Sequence, residues 1–171
     1  FEVMQEEIEY SPYLSKVYDF CPAPGQFVNT MPEYEEGDTK ETILKKVEEN
    51  ISGTNDVMIS LGGYGGYVIF GFDHTVINVK GKKDFMILGN SFYSDLPEYQ
   101  EKKGGSCEPG IVMVSFDTNL NGLLDDEWYE LAGSEYYKPE TIKNYRITYD
   151  RPDPNKIPEP DMGQQWSDAT N

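Results

Sequence analysis

From residue 57 onward the sequence consists of short runs of β-branched and aromatic residues separated by turn-forming residues. Within each run apolar side chains recur at a spacing of two, which is typical of strands. No helical segments alternate with the runs, so the pattern disfavours a nucleotide-binding parallel sheet and favours a mainly β fold, an antiparallel β-sandwich or jelly roll. The seven predicted strands are 57–61, 67–72, 75–79, 85–88, 111–116, 128–131 and 145–149.

One segment ahead of these runs has helical periodicity. Thr39 is a good N-cap residue, and Gly53 follows the last apolar position as a stop signal. The sequence therefore predicts one short peripheral helix over residues 40–51. Its apolar face consists of Ile43, Leu44 and Val47.

Proline placement divides the 171 residues into three parts. Residues 1–37 are broken by prolines, and the 21–27 stretch contains two that cannot donate to a central ladder. We expect 1–37 to be an extended N-terminal arm packed on the domain and 38–150 to be the β-sandwich domain. Residues 151–171 form a proline-rich tail, which we expect to be a truncated continuation of the fold.

The net charge of −17 makes nucleic acid an unexpected partner. A strongly acidic surface repels phosphate backbones, so nucleic acid is not an expected ligand. No apolar stretch approaches the roughly 20 residues of a membrane helix, so we expect no transmembrane segment in this chain. We expect a secretion signal or lipid anchor upstream of Phe1 and an extracellular or outer-surface location.

The two cysteines, Cys21 and Cys107, lie in no CxxC pattern and next to no histidine, which disfavours zinc. In an oxidising compartment they could pair, and the sequence leaves this open.

The sequence DTNLNGLLDDE at 117–127 is the most specific motif in the chain. Oxygen-bearing side chains stand at its first, third and fifth positions, and Gly122 stands at the sixth, as in tight calcium-binding turns. Trp128 occupies the twelfth position, where an EF-hand has its bidentate Glu, and no amphipathic helix flanks the loop. The predicted ligands of a structural Ca²⁺ are Asp117, Asn119, Asn121, the carbonyl of Leu123, and one or both of Asp125 and Asp126. The alternative is a metal-free turn rich in Asn, Asp and Gly.

Catalytic motifs are weak. His74 is the single histidine, no GxSxG motif accompanies it, and we expect it to cap a turn between two strands. No two carboxylates stand out as an acid–base pair. The sequence therefore favours a protein that is not an enzyme.

The glycine-rich stretch 62–66 has two interpretations. It could display Tyr64 and Tyr67 for stacking on a sugar or another flat ligand, or its glycines could permit close backbone approach; we favour the second interpretation. Further candidate surface aromatics are Tyr93, Tyr99, Tyr136 and Tyr137.

The runs GYVIFGFDH at 66–74, KDFMILGNSF at 83–92, EPGIVMVS at 108–115 and DDEWYELAGS at 125–134 resemble cell-surface proteins, many of them lipoproteins, of gut Bacteroidetes. The resemblance covers about residues 17–150. It implies a jelly-roll-like sandwich, export, and a calcium turn within 117–126, but no settled activity.

These features together predict a non-catalytic cell-surface binding or adhesion module with structural calcium. The expected ligand is a carbohydrate or another nutrient, with a corrinoid or a protein as further candidates. The first alternative is a structural spacer domain of a larger surface protein. The second is a glycoside-hydrolase-like enzyme using an acidic pair.

Overall fold

A computed structural model describes residues 9–97, 104–151, 153 and 155. Its elements in chain order are β1 (Lys16–Cys21), α1 (Lys40–Ile51), β2 (Tyr67–Gly71), β3 (Ser91–Tyr93), β4 (Gly105–Cys107), β5 (Met113–Ser115) and β6 (Trp128–Glu130). The described residues divide into two compact units. The first consists of the described residues up to Phe85 and from Arg146 onward, and the second of those between Met86 and Tyr145.

Among the described residues strands predominate over one helix, as the sequence predicts. They form three two-stranded antiparallel sheets: β1 with β2, β3 with β4, and β5 with β6. A mainly β fold with one short helix is therefore confirmed. In the part of the chain that the structure describes, no helix has the length and apolar character needed to cross a membrane.

The β1–β2 sheet of the first unit contains a bulge that decides which side chains enter the core. Strand pairing is interrupted between Val17 and Asp19, which leaves one extra residue in β1. Val17 and Phe20 are consequently both buried although they are three positions apart, because the bulge returns the chain to the same face. Their partners across the ladder, Phe70 and Val68, pack against the same cluster.

Helix α1 covers this face of the sheet. Val47 is completely buried among the core residues, and three other apolar side chains of the helix pack beside it: Ile43, Leu44 and Ile51. The Thr39 hydroxyl accepts from the Thr42 backbone N–H, and the Thr42 hydroxyl accepts from the Thr39 backbone N–H. The two residues therefore form a reciprocal N-terminal cap. Beyond the helix, Gly53 adopts φ 73° and donates to the carbonyl of Leu14. The predicted helix, its cap and its buried face are confirmed.

Several strand predictions were wrong. Residues 57–61, 75–79, 85–88 and 145–149 are not strands, although their composition is strand-like. A strand exists only where a second chain segment completes its ladder. The 57–61 segment gives its hydrogen bonds to irregular chain instead: Ser60 donates to the carbonyl of Met31, and the carbonyl of Leu61 accepts from Ala23.

The sequence prediction also missed β1, β3 and β4. β3 and β4 are three residues each and contain serine and glycine, so they carry no apolar alternation. β1 lies within the segment predicted as an extended arm, and it ends at Cys21, immediately before Pro22. Proline therefore limits the strand where expected, but the residues before it pair with β2.

The second unit holds the two short hairpin sheets. β5 and β6 are shortened forms of the predicted strands 111–116 and 128–131, and they pair in the register Met113↔Glu130 to Ser115↔Trp128. All fully buried hydrophobic side chains of the described residues belong to the first unit. The second unit is organised instead by backbone pairing and by the loop between β5 and β6.

Candidate functional site: the 117–126 loop

The hairpin of β5 and β6 sets the position of the predicted calcium loop. Because Ser115 pairs with Trp128, the ends of the loop are held at adjacent points of one ladder. Two residues inside the loop adopt left-handed backbone conformations, Leu120 with φ 57° and Gly122 with φ 72°. Glycine has no Cβ to oppose such a conformation, which explains its place at the sharp turn.

Asp117 directs its carboxylate at the turn. Its Oδ2 accepts from the backbone N–H of Gly122 at 2.8 Å, and its Oδ1 accepts from that of Asn121 at 3.1 Å. A carboxylate has about four lone-pair sites, so each oxygen keeps acceptor capacity after these bonds. The first predicted ligand is thus fixed at the inside of the turn by the backbone that it faces.

Asn121 connects most of the other predicted ligands. Its backbone N–H also donates to Asn119 Oδ1 at 3.0 Å, and its own Oδ1 accepts from the Leu123 N–H at 2.8 Å. Its side-chain amide donates to Asp125 Oδ2 at 3.1 Å. Five of the six predicted positions are therefore joined by hydrogen bonds that run through Asn121.

Asp126 closes the loop from the other side. Its Oδ1 accepts from both the backbone N–H and the hydroxyl of Thr118. Its Oδ2 is buried and has no hydrogen-bond partner. A buried carboxylate oxygen without a partner is costly, and a cation is one group that would satisfy it. The residues of the loop therefore fit a hard, oxygen-preferring ion such as Ca²⁺.

The acidic side chains alone do not make a complete site. Over residues 9–97 and 104–151, no group of three or more His, Cys, Asp or Glu side chains comes close enough to hold a metal. A cation in the loop would have to draw on the amide oxygens of Asn119 and Asn121 and on backbone carbonyls as well. Calcium takes six to eight such mixed oxygens in flexible geometry, whereas Mg²⁺ demands a stricter octahedron.

Tyr64 and Tyr67, the predicted ligand-binding aromatics, lie in the first unit, with 46% and 41% of their surface exposed. The Tyr67 hydroxyl donates to Asp19 Oδ2 at 2.8 Å, and the Tyr64 carbonyl accepts from the Tyr149 hydroxyl at 2.8 Å. The Tyr67 hydroxyl is therefore occupied although the residue is partly exposed, and the backbone of Tyr64 is anchored by Tyr149.

The glycines around Tyr64 permit close packing of backbones. A side chain at Gly62 would collide with the Ala23 carbonyl, and one at Gly25 would collide with the backbone of Gly63. This is the close approach favoured from the sequence. The glycine-rich turn lies against the proline-rich segment that follows β1.

A charged cluster that the sequence did not reveal surrounds Tyr67. Lys40 Nζ lies 2.8 Å from Asp19 Oδ1, while the Tyr67 hydroxyl bonds the other oxygen of the same carboxylate. The hydrogen bond from Lys40 and then that from Tyr67 hold the pKa of Asp19 below its usual value. The hydrogen bond to Asp19 raises the pKa of Tyr67. These residues come from β1, α1 and β2, so no local motif could indicate the cluster.

His74 lies in a bend after β2; the predicted turn between two strands is not formed, because residues 75–79 are not a strand. Its Nδ1 lies 2.7 Å from Asp73 Oδ1, and Asp73 Oδ2 accepts from the backbone N–H of Ser11. The hydrogen bond with His74 lowers the pKa of Asp73. The ring of Tyr10 lies 5.2 Å from the imidazole between centroids. Asp73 and His74 thus connect the chain before β1 to the residues that follow β2.

Most of the remaining candidate residues are exposed. Cys21 and Cys107 are exposed free thiols. Tyr93 is 74% exposed and Tyr137 is 84% exposed, with Tyr136 packed edge-on against Tyr137 at 4.9 Å. Tyr99 lies outside the described residues.

Comparison of the sequence with protein-family models finds no match, and comparison with curated proteins finds none either.

Proposed function

We propose that the chain is a non-catalytic binding module of an exported, cell-surface protein and that its 117–126 loop holds a structural calcium ion. The calcium proposal rests on the arrangement of oxygen atoms in the loop. Its hydrogen bonds converge on Asn121, and the buried Asp126 Oδ2 lacks a partner. The ligands would be Asp117, Asn119, Asn121, the Leu123 carbonyl, Asp125 and Asp126.

Bound calcium would stiffen the connection between β5 and β6. The loop carries exposed apolar side chains, with Leu120 83% and Leu123 62% exposed, so burial contributes little to its order. A cation that joins several oxygens would replace that missing contribution and hold the turn ahead of Trp128 in one conformation. Such preorganisation lowers the ordering cost of any ligand that contacts the neighbouring surface.

The calcium proposal is tested by titrating chelator-treated protein with Ca²⁺ in a calorimeter and by recording Tm with and without the ion. We expect one binding event and a higher Tm, since a ligand at about 100 times its Kd stabilises the folded state by about 2.7 kcal/mol. Mg²⁺ should bind more weakly. Absence of both heat and a Tm shift would refute the site.

A matched pair of variants separates the site from general charge effects. Asp117→Asn removes one charge at the centre of the loop, and we expect it to weaken Ca²⁺ binding by at least about tenfold. Asp84→Asn removes one charge from another exposed turn, where the Asp84 carboxylate accepts only from Val79 N–H among the contacts seen. Equal Ca²⁺ affinity of the two variants would contradict the assignment.

We propose further that the paired strands belong to an antiparallel β-sandwich of the jelly-roll type. The support is the antiparallel sense of all three sheets and the large number of exposed apolar side chains next to them, among them Met113 at 49% and Phe92 at 59%. A sandwich requires a second sheet over such faces. A crystal structure of the complete protein in calcium tests this, and a helical partner layer would refute it.

The proposed ligand is a carbohydrate or another nutrient that stacks on Tyr64 and Tyr67, with a corrinoid as the competing candidate. A glycan array and a corrinoid titration of the calcium-loaded protein distinguish them. Tyr67→Ala should abolish binding, whereas Tyr93→Ala, which removes a more exposed aromatic side chain of the other unit, should not. Failure of every ligand would leave the protein without a binding role at this surface and favour a spacer.

A further inference from the structure

An open groove of about 570 Å³ lies in the first unit, and neither the candidate aromatic residues nor the loop 117–126 contributes to its lining. Its apolar lining consists of Pro32, which is buried, Met31, which is half-buried, and the exposed side chains of Val57 and Met58. Val57 is 44% exposed and Met58 is 56% exposed. Methionine side chains adapt their shape to different apolar partners, which suits a binding surface.

Acidic side chains line the same groove. Four acidic residues and one lysine line the groove: Glu33, Glu35, Glu49, Asp56 and Lys46. Their formal charges leave a net charge of −3. The groove therefore concentrates negative potential next to an apolar surface, and an anionic ligand would be repelled from it.

The single lysine of the groove, Lys46, is already paired with carboxylates of the protein. Lys46 Nζ lies 2.7 Å from Glu35 Oε2 and 2.9 Å from Asp38 Oδ2, and it donates to the Glu33 carbonyl at 3.1 Å. These hydrogen bonds, that to Glu35 first, raise the pKa of Lys46, so it stays charged and bound. The groove thus already contains an ammonium group held by three oxygens of the protein.

Two other carboxylates that line the groove have weaker partners within the protein. Glu49 lies 3.5 Å from Lys45 on the exposed side of the helix, and Asp56 accepts from the Thr54 hydroxyl. An exposed pair at that distance contributes little, so Glu49 can exchange Lys45 for another cation at small cost.

We propose that this groove binds a basic, partly apolar peptide segment of a partner protein, with an apolar side chain against Met31 and Met58 and lysine or arginine side chains at Glu49 and Asp56. Charge complementarity selects the sign of the partner, and the methionine surface supplies an apolar anchor. The proposal is independent of the calcium loop.

The probe is a fluorescein-labelled peptide of alternating lysine and leucine, titrated with the complete chain in Ca²⁺ and followed by fluorescence anisotropy. We expect saturable binding at about 20 mM NaCl that weakens steeply by about 200 mM, because exposed charge pairs are screened. The same peptide with serine in place of leucine, and spermine, should bind at least about fivefold more weakly. Equal binding of spermine and peptide would overturn the peptide proposal.

Matched variants locate the binding surface. Glu49→Gln with Asp56→Asn should weaken peptide binding at least about fivefold at low salt, whereas Glu9→Gln with Glu140→Gln, which remove the same charge elsewhere, should not. Met58→Ser tests the apolar contact at an exposed position where folding is not at risk, and Tm checks every variant. Equal affinity of the two double variants, or an unchanged affinity of Met58→Ser, would overturn the proposal.

Discussion

At the scale of single residues, Glu48 links the helix to the sheet. Its Oε2 accepts from the Val17 backbone N–H at 2.8 Å and lies 3.0 Å from Lys16 Nζ. Val17 sits beside the bulge of β1, so its N–H needs a partner outside the β1–β2 ladder. The carboxylate of α1 supplies it.

This contact makes stability depend on pH. The hydrogen bond from Val17 and then that from Lys16 hold the pKa of Glu48 below its usual value of 4.5. A carboxyl whose pKa is lower in the folded state stabilises the fold above its unfolded pKa, and this contribution is lost as the pH falls through the folded pKa. We expect Glu48→Gln to reduce the free energy of unfolding at pH 7 by about 1 kcal/mol.

The difference between Glu48→Gln and the unchanged protein should shrink as the pH falls through the folded pKa of Glu48, because protonated Glu48 is then neutral like Gln. Urea unfolding at pH 7 and at acidic pH measures it. Glu49→Gln is the control, because its partner Lys45 is exposed at 3.5 Å. A pH-independent difference, or an equal effect of Glu49→Gln, would contradict the assigned role.

The glycine-rich turn gives a second prediction at this scale. Gly62 and Gly65 both have positive φ, 71° and 95°, but only Gly62 has neighbours where a Cβ would lie. Gly62→Ala should therefore lower Tm more than Gly65→Ala, since the second variant carries backbone strain alone and the first adds a collision with Ala23. Thermal unfolding of the two variants isolates the contact. Equal Tm values would show that the turn does not pack as described.

At the scale of elements, the reciprocal cap of α1 is the clearest local determinant. Thr39 and Thr42 exchange hydrogen bonds, and Asp38 also accepts from the Thr42 hydroxyl. We expect Thr39→Ala to lower the free energy of unfolding by about 1 kcal/mol, because it leaves a first-turn N–H without an acceptor. Thr39→Ser keeps the hydroxyl and should retain most of the stability. Chemical denaturation of both variants measures the free energy of unfolding. Equal losses in Thr39→Ala and Thr39→Ser would show that the methyl group of Thr39, and not its hydroxyl, stabilises the helix.

The elements also show why some predictions succeeded and others failed. α1 could be predicted because its cap and its apolar spacing are contained within fifteen consecutive residues. β1 could not, since the bulge gives its buried residues, Val17 and Phe20, a spacing of three. The 57–61 run has the composition of a strand, yet its hydrogen bonds go to irregular chain because no strand lies beside it.

At the scale of the whole molecule, the charge of −17 opposes compactness. Six lysine–carboxylate ion pairs among the described residues offset only a small part of this repulsion, and most include at least one exposed side chain. Screening of the charges by salt should therefore stabilise the fold by reducing the net repulsion more than it destabilises the fold by weakening the ion pairs. We expect Tm to rise by a few degrees between about 10 mM and about 150 mM NaCl.

Scanning calorimetry in NaCl and in choline chloride tests this prediction and separates screening from a specific effect of sodium. Both salts should raise Tm alike. A fall in Tm with either salt would mean that the ion pairs outweigh the net repulsion.

The sequence by itself determined the features whose atoms are close along the chain. These are the helix with its cap, the turn glycines, and a 117–126 loop whose hydrogen bonds span at most eight residues. Only the tertiary structure decided the features that join distant segments. The bulged pairing of β1 with β2, the Asp19–Lys40–Tyr67 cluster and the acidic groove each bring together residues from separate elements. Their energies depend on partners that no local spacing specifies, which is the physical reason that the sequence could not predict them.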